Sequence, residues 1–253
     1  MGDTTGRNGR RSIWKKMGDL VYPGRCHRCS AGLEAGRSLC NGCATELPGL
    51  KAPFCEKCGE EHEGQIDSSF ECPNCRGQTF SFDFARPGLP LHPDLLEMIH
   101  ELKYARRIVL AKELGRLAAR AFEDDARLGP ALAEGWPLVP VPLHRSRLLW
   151  RHFNQAEEIA LPLSRQTGLP LCRALVRSRG TGSQTRLSRA ERLKNLRGAF
   201  KLSTAGERFA AGKPPGAIVI DDVFTTGATT GECARVLRKA GVQKVVVVTV
   251  MRG

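Results

Sequence analysis

The sequence predicts an α/β protein with a doubly wound, mostly parallel sheet, preceded by a small N-terminal zinc-binding module of the four-cysteine type. Three observations predict it. Through the C-terminal part, apolar β-branched runs alternate with helix-length amphipathic stretches, the pattern of parallel strands joined by crossover helices. One run, Ala217-Ile218-Val219-Ile220, ends in the carboxylates Asp221 and Asp222 and then passes through a hydroxyl-rich turn, Thr225 to Thr230, toward a helix. Ahead of all this, eight of the ten cysteines fall in four Cys-x-x-Cys pairs.

Taken in order, residues 1–20 hold scattered Arg and Lys and read as a flexible basic tail. Residues 21–80 hold the cysteine pairs, and residues 81–253 are the expected α/β domain. The first residues lack the apolar core of an export signal, and no run of about 18 apolar residues is present to span a bilayer. A cytoplasmic protein without membrane insertion is expected.

The pairs are Cys26/Cys29, Cys40/Cys43, Cys55/Cys58 and Cys72/Cys75. One such pair is ambiguous between redox work and metal binding. Four of them interleaved with glycine point to structural zinc, each pair presenting two thiolates to a tetrahedral ion. A reducing compartment disfavours disulfides. Pairing by adjacency gives one site from Cys26, Cys29, Cys40 and Cys43 and another from Cys55, Cys58, Cys72 and Cys75. Shorter loops favour this over a crossed arrangement by only a fraction of a kcal/mol, so both pairings stay open. Four thiolates leave no coordination position for chemistry, so two structural ions that supply folding energy are expected. Cys172 and Cys233 stand alone in apolar surroundings and read as core residues.

Pro93 to Arg127 reads as two helices whose apolar stripes include Ile99, Leu102, Leu110, Leu114, Leu117 and Phe122. Next come a strand at Leu138 to Val141, a helix at Asn154 to Thr167 and a strand at Leu171 to Val176. Ala217 to Asp222, Gly231 to Ala240 and Lys244 to Val250 then read as strand, helix and strand. The polar stretch from Arg177 to Arg197 is long for a compact domain and reads as a lid or binding loop. Charge is concentrated too: residues 142–197 hold twelve Lys or Arg against three Glu, a net +9 within a chain of +13. Such a segment can neutralise a pyrophosphate or follow a nucleic-acid backbone.

Asp221 to Thr230 is suited to a phosphorylated sugar. Amides at a helix N-terminus lack intrahelical partners and favour an anion, Gly227 and Ala228 allow close approach, and Thr225, Thr226, Thr229 and Thr230 offer hydroxyls. Asp221 and Asp222 can accept from ribose hydroxyls or share a divalent metal. The run resembles the phosphoribosyl pyrophosphate signature of type I phosphoribosyltransferases, in which apolar residues, two acids and two further apolar residues precede Thr-Thr-Gly-x-Thr. Phe224 stands where a smaller aliphatic residue is usual. The resemblance implies Mg2+ with phosphoribosyl pyrophosphate, Asp221 and Asp222 in the catalytic role, and pyrophosphate on the loop Leu143-His144-Arg145. Thr225 occupies the place of the acid that serves 6-oxopurine acceptors, which argues against those acceptors. No glutaminase-like domain precedes the transferase, and neither His144 nor His152 is a convincing general base.

The resemblance narrows with Leu102-Lys103-Tyr104 and Arg107, Val139-Pro140-Val141-Pro142, Arg151-His152-Phe153-Asn154-Gln155, and the lid pattern of Thr181, Gln184, Leu187, Arg192, Asn195 and Ala199-Phe200. Together with the cysteine pairs, these segments are similar to the ComF family of competence proteins over most of residues 22–253. His152 departs from the family pattern, which has glycine there. Membership implies a double zinc ribbon joined to a phosphoribosyltransferase domain and a role in natural transformation. The implied partners are single-stranded DNA and a DNA-uptake helicase or recombination proteins. Three readings follow: a phosphoribosyltransferase of unknown acceptor, a single-stranded-DNA-binding adaptor without turnover, and a nucleotide-salvage enzyme. Trp150, Phe153 and Phe200 are candidate base-stacking platforms, with burial as packing the expected alternative.

Overall fold

The computed structural model of the chain describes residues 24–34, 36–62, 64, 70–180, 191 and 195–253. The expected tail and the lid residues Thr181, Gln184 and Arg192 lie outside them. The chain divides into two compact units, one ending at Leu47 and the other running from Pro48 to Gly253. In the first, β1 (Gly24–Arg25) and β2 (Gly32–Leu33) pair antiparallel and lead to the short helix α1 (Asn41–Thr45).

The second unit opens with the later cysteine pairs. It continues through β3 (Ala85–Leu89), α2 (Pro93–Tyr104), α3 (Leu110–Ala118), α4 (Arg120–Asp124) and α5 (Gly129–Ala133) to β4 (Leu138–Pro140). Then come α6 (Arg145–Arg151), α7 (Gln155–Thr167), β5 (Leu175–Arg177), β6 (Phe200–Leu202) and α8 (Thr204–Ala211). The last elements are β7 (Gly216–Phe224), α9 (Ala228–Lys239) and β8 (Lys244–Arg252). The main sheet has the order β3-β8-β7-β4, and every pairing in it is parallel. Its two central strands are the β-branched runs, buried from Ala217 to Ile220 and from Val245 to Met251, as strands covered on both faces must be. No described helix is long and apolar enough to cross a membrane.

Differences from the sequence expectation have local causes. β3 contains Pro87 and Gly88, poor strand formers; its edge position tolerates a proline that lacks an N–H. The strand expected at Leu171 to Val176 is shorter and lies elsewhere. Leu171 makes one parallel bridge to Leu138, and β5 then pairs antiparallel with β6 in a separate two-stranded sheet. Helix α9 begins at Ala228, three residues before the expected Gly231, because Gly227 takes the left-handed conformation at φ 72° and turns the chain directly into the helix. His152, where the family pattern has glycine, also adopts a left-handed conformation, φ 69°, as the C-cap of α6. A glycine would take that geometry without strain.

Helices α3 and α7 approach closely at Gly115. A Cβ there would stand 2.3 Å from Cγ of Pro162 and 2.5 Å from the Ile159 carbonyl oxygen. Substitution therefore forces the two helices apart. Gly115→Ala is expected to lower stability by about 1–3 kcal/mol, read as a reduced urea midpoint, since its better helix propensity recovers less than about 1 kcal/mol.

Candidate functional site

The eight paired cysteines form two clusters, Cys26/Cys29/Cys40/Cys43 and Cys55/Cys58/Cys72/Cys75, with the four sulfurs of each within 4.8 Å of one another. This is the pairing by adjacency. A tetrahedral ion with Zn–S of about 2.3 Å separates its ligand sulfurs by about 3.8 Å. The Cys29–Cys40 and Cys58–Cys72 sulfurs stand 3.7 and 3.6 Å apart, so both clusters fit zinc. Backbone amides prepare the thiolates: Cys40 N–H donates to Cys26 Sγ, and Cys72 N–H donates to Cys55 Sγ. In the second cluster, bonds from Cys58 and Cys75 hold the Cys55 thiol far below its usual range, whereas burial pushes Cys72 up to about 12. Without a cation the four cannot all ionise. Two structural zinc ions follow from this donor set.

The second cluster belongs to the core of the larger unit, its four cysteines packing into the same buried set as Phe82, Val219 and Val247. Arg252, the penultimate residue, joins this module to the hydroxyl-rich loop. Its Nη2 donates to Glu60 Oε2 at 2.9 Å, and its Nη1 donates to the carbonyls of Phe224 and Thr225 at 2.8 and 2.9 Å.

Asp221 and Asp222 sit near the carboxyl end of β7, where ligands of such sheets bind. Strand alternation sends adjacent side chains to opposite faces. Asp222 is buried and receives Lys103 Nζ at Oδ2, 2.7 Å away, while its Oδ1 accepts from the Val223 amide. Burial works against the Lys103 charge, but Asp222 more than offsets it and raises the ammonium pKa. Asp221 has no ion pair among the described residues; its Oδ1 accepts the Asp222 amide at 3.0 Å. Burial and the neighbouring Asp222 charge push its carboxyl up to about 7.

Both acids line a cavity of about 510 Å3 whose wall also holds Lys103, Arg147, Arg151, Arg177, Leu143, Thr225 and Thr229. Four cations thus face two carboxylates. Burial disfavours the charged forms of Arg151 and Arg177, and Arg147 adds like-charge pressure on both. Arg151 is 6% exposed, donates from Nη1 to Gln155 Oε1 at 2.6 Å, and has no acceptor for its buried Nε. Such a group suits an anion entering from the cavity.

The loop from Thr225 to Thr230 curls around a hollow of about 40 Å3 that includes Thr226, Gly227 and Ala228. A Cβ on Gly227 would come within 2.8 Å of Phe224 Cζ, so this position needs glycine for space as well as for φ. Leu143 borders the cleft, whereas His144 and Arg145 border a neighbouring cavity of about 1020 Å3. His144 is committed to capping α6, its Nδ1 accepting the Ser146 amide. Asn195 is placed by its carbonyl, which accepts from Arg179. Phe153 and Phe200 are buried as expected, but Trp150 is half exposed.

Sequence reasoning gave no role to Lys103, Arg151 or Arg177. A signal was present for Lys103. Leu95 and Ile99 precede it at four-residue spacing on the buried stripe of α2, so a lysine there points inward.

A parallel sheet with a carboxylate pair before a hydroxyl-rich helix entry, together with two four-cysteine centres, defines an α/β protein that carries a zinc-binding module. Comparison with known proteins narrows this. Residues 17–76 match the double zinc ribbon domain. The chain is 32% identical over 225 residues to Competence protein F of Haemophilus influenzae, covering 87% of this chain and 93% of that protein. It is 31% identical over 224 residues to DNA utilization protein YhgH of Escherichia coli strain K12, and 29% over 224 residues to that of Salmonella typhimurium, covering in each case 88% of this chain and 94% of the relative. The chain belongs to the family of Competence protein F.

Two outcomes follow from the site. The native chain is expected to carry about two zinc ions. Cys55→Ser/Cys58→Ser loses one ion and destabilises the α/β unit, whereas Cys26→Ser/Cys29→Ser loses one and leaves that unit's melting unchanged. Metal analysis with calorimetry checks both. For Asp221, the folded carboxyl keeps a proton that the unfolded chain has already lost between the ordinary carboxylate range and pH about 7. Stability therefore falls as pH rises through that window. In Mg2+-free buffer, Asp221→Asn should flatten the fall and stabilise the fold near pH 8 by about 1–3 kcal/mol. An unchanged melting profile would count against a half-buried Asp221 that holds its proton.

Proposed function

We propose that the cleft binds phosphoribosyl pyrophosphate with Mg2+, and that the protein serves natural competence and the use of incoming DNA. The carrying observation is the carboxylate pair at the end of β7, facing Lys103, Arg147, Arg151 and Arg177 across one cavity. In this reading the Thr225 to Thr229 loop cradles the 5′-phosphate with the N-terminal amides of α9. Asp221 and Asp222 accept from the ribose hydroxyls, with Lys103 fixing Asp222 in place. The pyrophosphate lies toward Leu143-His144-Arg145, within reach of the arginines. Asp221 fits a divalent cation as well: it is a carboxylate without an ion pair among the described residues, and a cation bound there would offset the burial and the Asp222 charge that disfavour its ionisation. Mg2+ bound with the ligand would neutralise the diphosphate. The DNA role is supported by the names of the relatives, Competence protein F and DNA utilization protein YhgH.

If turnover occurs, an acceptor lone pair attacks the anomeric carbon, the bond to the pyrophosphate oxygen breaks, and pyrophosphate leaves carrying the electron pair. The cations of the cleft are suited to that leaving group. Thr225 lends no acid to a purine ring, which disfavours nucleotide salvage of that kind. Asp221, whose carboxyl is pushed up to about 7, is already assigned to the ribose and the cation in this reading, and His144 borders the neighbouring cavity and is occupied as a cap. That favours the second reading, a DNA-handling adaptor for which the bound sugar phosphate is a ligand.

Calorimetry tests the site. Phosphoribosyl pyrophosphate should bind only with Mg2+, and Asp221→Ala/Asp222→Ala should abolish the heat. Undiminished binding by that variant would sink the assignment.

A further inference from the structure

Beyond the cleft, two exposed segments meet at its outer lip. One is Tyr104 to Val109, which begins at the last residue of α2; the other is Arg145 to Trp150 in α6. They are pinned together by Arg106, whose guanidinium donates to the Trp150 carbonyl and lies 5.4 Å from the Trp150 ring centroid. Arg106 holds a left-handed backbone, φ 56°, to do so. The Tyr104 and Trp150 rings stand 6.2 Å apart, and His100 backs Tyr104 at 4.5 Å. From the cleft side, Arg151 lies 5.7 Å from the Tyr104 ring centroid.

The exposure of these rings calls for an explanation. Tyr104 is 54% and Trp150 50% exposed, whereas Trp136 is 4% exposed. Neither segment contains an acidic residue, and together they carry Arg106, Arg107, Arg145 and Arg147. Glu101 engages Arg107, but Arg145 and Arg147 have no ion pair among the described residues. Aromatic faces without acids, set among unneutralised cations, complement unpaired bases joined by phosphates. A folded protein partner would more often meet such cations with carboxylates, and a free nucleotide has too few phosphates for charges spread over two segments.

We infer that Tyr104 and Trp150 form a stacking shelf for single-stranded nucleic acid at the lip of the cleft, with Arg106, Arg145 and Arg147 holding its phosphates. The inference rests on the DNA-handling part of the proposed function and is independent of phosphoribosyl pyrophosphate. The shelf would lead a strand past the mouth of the sugar-phosphate cavity, since Tyr104 and Trp150 also border that cavity.

Fluorescence anisotropy of dye-labelled oligothymidylate with the full chain tests the shelf. Trp150→Leu and Tyr104→Leu should each weaken binding roughly tenfold, while Trp150→Phe, which keeps a π-face, retains most of the affinity. The salt slope should be unchanged in these variants and should drop by about one in Arg147→Gln. Excess duplex should compete poorly. Equal losses in Trp150→Leu and Trp150→Phe, or native affinity in both leucine variants, would overturn the shelf and leave the DNA reading standing. Absence of strand binding by the native chain would overturn both. Loss of a dimer on Trp150→Leu in sedimentation, without a change in strand affinity, would reassign the rings to self-association. Failure of phosphoribosyl pyrophosphate to bind, with strand binding and its Trp150 dependence intact, would remove the sugar-phosphate assignment alone.

Discussion

The arrangement of the cleft depends on the ion pair between Lys103 and Asp222. Two adjacent acids at the end of a buried strand repel each other and resist desolvation, and the fold meets that cost at only one of them. Lys103 reaches Asp222 from the last turn of α2 at 2.7 Å, which fixes both the carboxylate and the end of the helix at the cleft wall. Removing one member of a buried pair costs about 3–5 kcal/mol because the other is left uncompensated. The pair therefore acts as a geometric clamp between helix and sheet. Asp221 is left without such a partner, and the energy that the fold forgoes there is available to whatever cation or hydroxyl enters. Arg151, with its Nε unmet, repeats this arrangement with opposite sign. Unsatisfied groups of both charges facing one cavity are suited to a ligand with a polyol portion and an anionic portion.

Much of this was legible in the chain. The central strands β7 and β8 announce themselves because strands buried on both faces must be uniformly apolar, and Asp221-Asp222 is conspicuous for interrupting one of them. The cysteine pairs were legible because a tetrahedral ion imposes its own spacing. Other features were hidden for physical reasons. β3 carries proline and glycine that only an edge position permits. β5 and β6 are short, and their pairing joins residues far apart in sequence, so no local pattern marks it. Lys103 and Arg151 belong to helices and act across the cleft on a strand more than sixty residues away, a relation that periodicity does not encode. Trp150 was expected to be packing because tryptophan usually is. Its exposure follows from the seat of α6 on the surface, where residues 145–150 are all exposed and only Arg151 turns inward.

The second four-cysteine centre is not an appendage to the sheet. A zinc ion held by four thiolates carries a net double negative charge, and Arg252 stands against it: burial opposes the guanidinium charge, while Cys58 and Glu60 favour it more strongly. The same guanidinium holds the carbonyls of Phe224 and Thr225, the two residues at which β7 gives way to the hydroxyl-rich loop. Phe224 in turn meets Phe82 edge-on at 5.8 Å, and Phe82 stacks with Phe80 at 4.7 Å, continuing the support from the segment that follows the cysteines. The loop is thus held from behind by a charge that the metal centre helps to stabilise. Loss of that metal would release the acceptors around Glu60 and weaken the hold of Arg252 on the loop before any cleft residue is touched. On this account the ribbon and the α/β fold share one chain because the geometry of the loop depends on both.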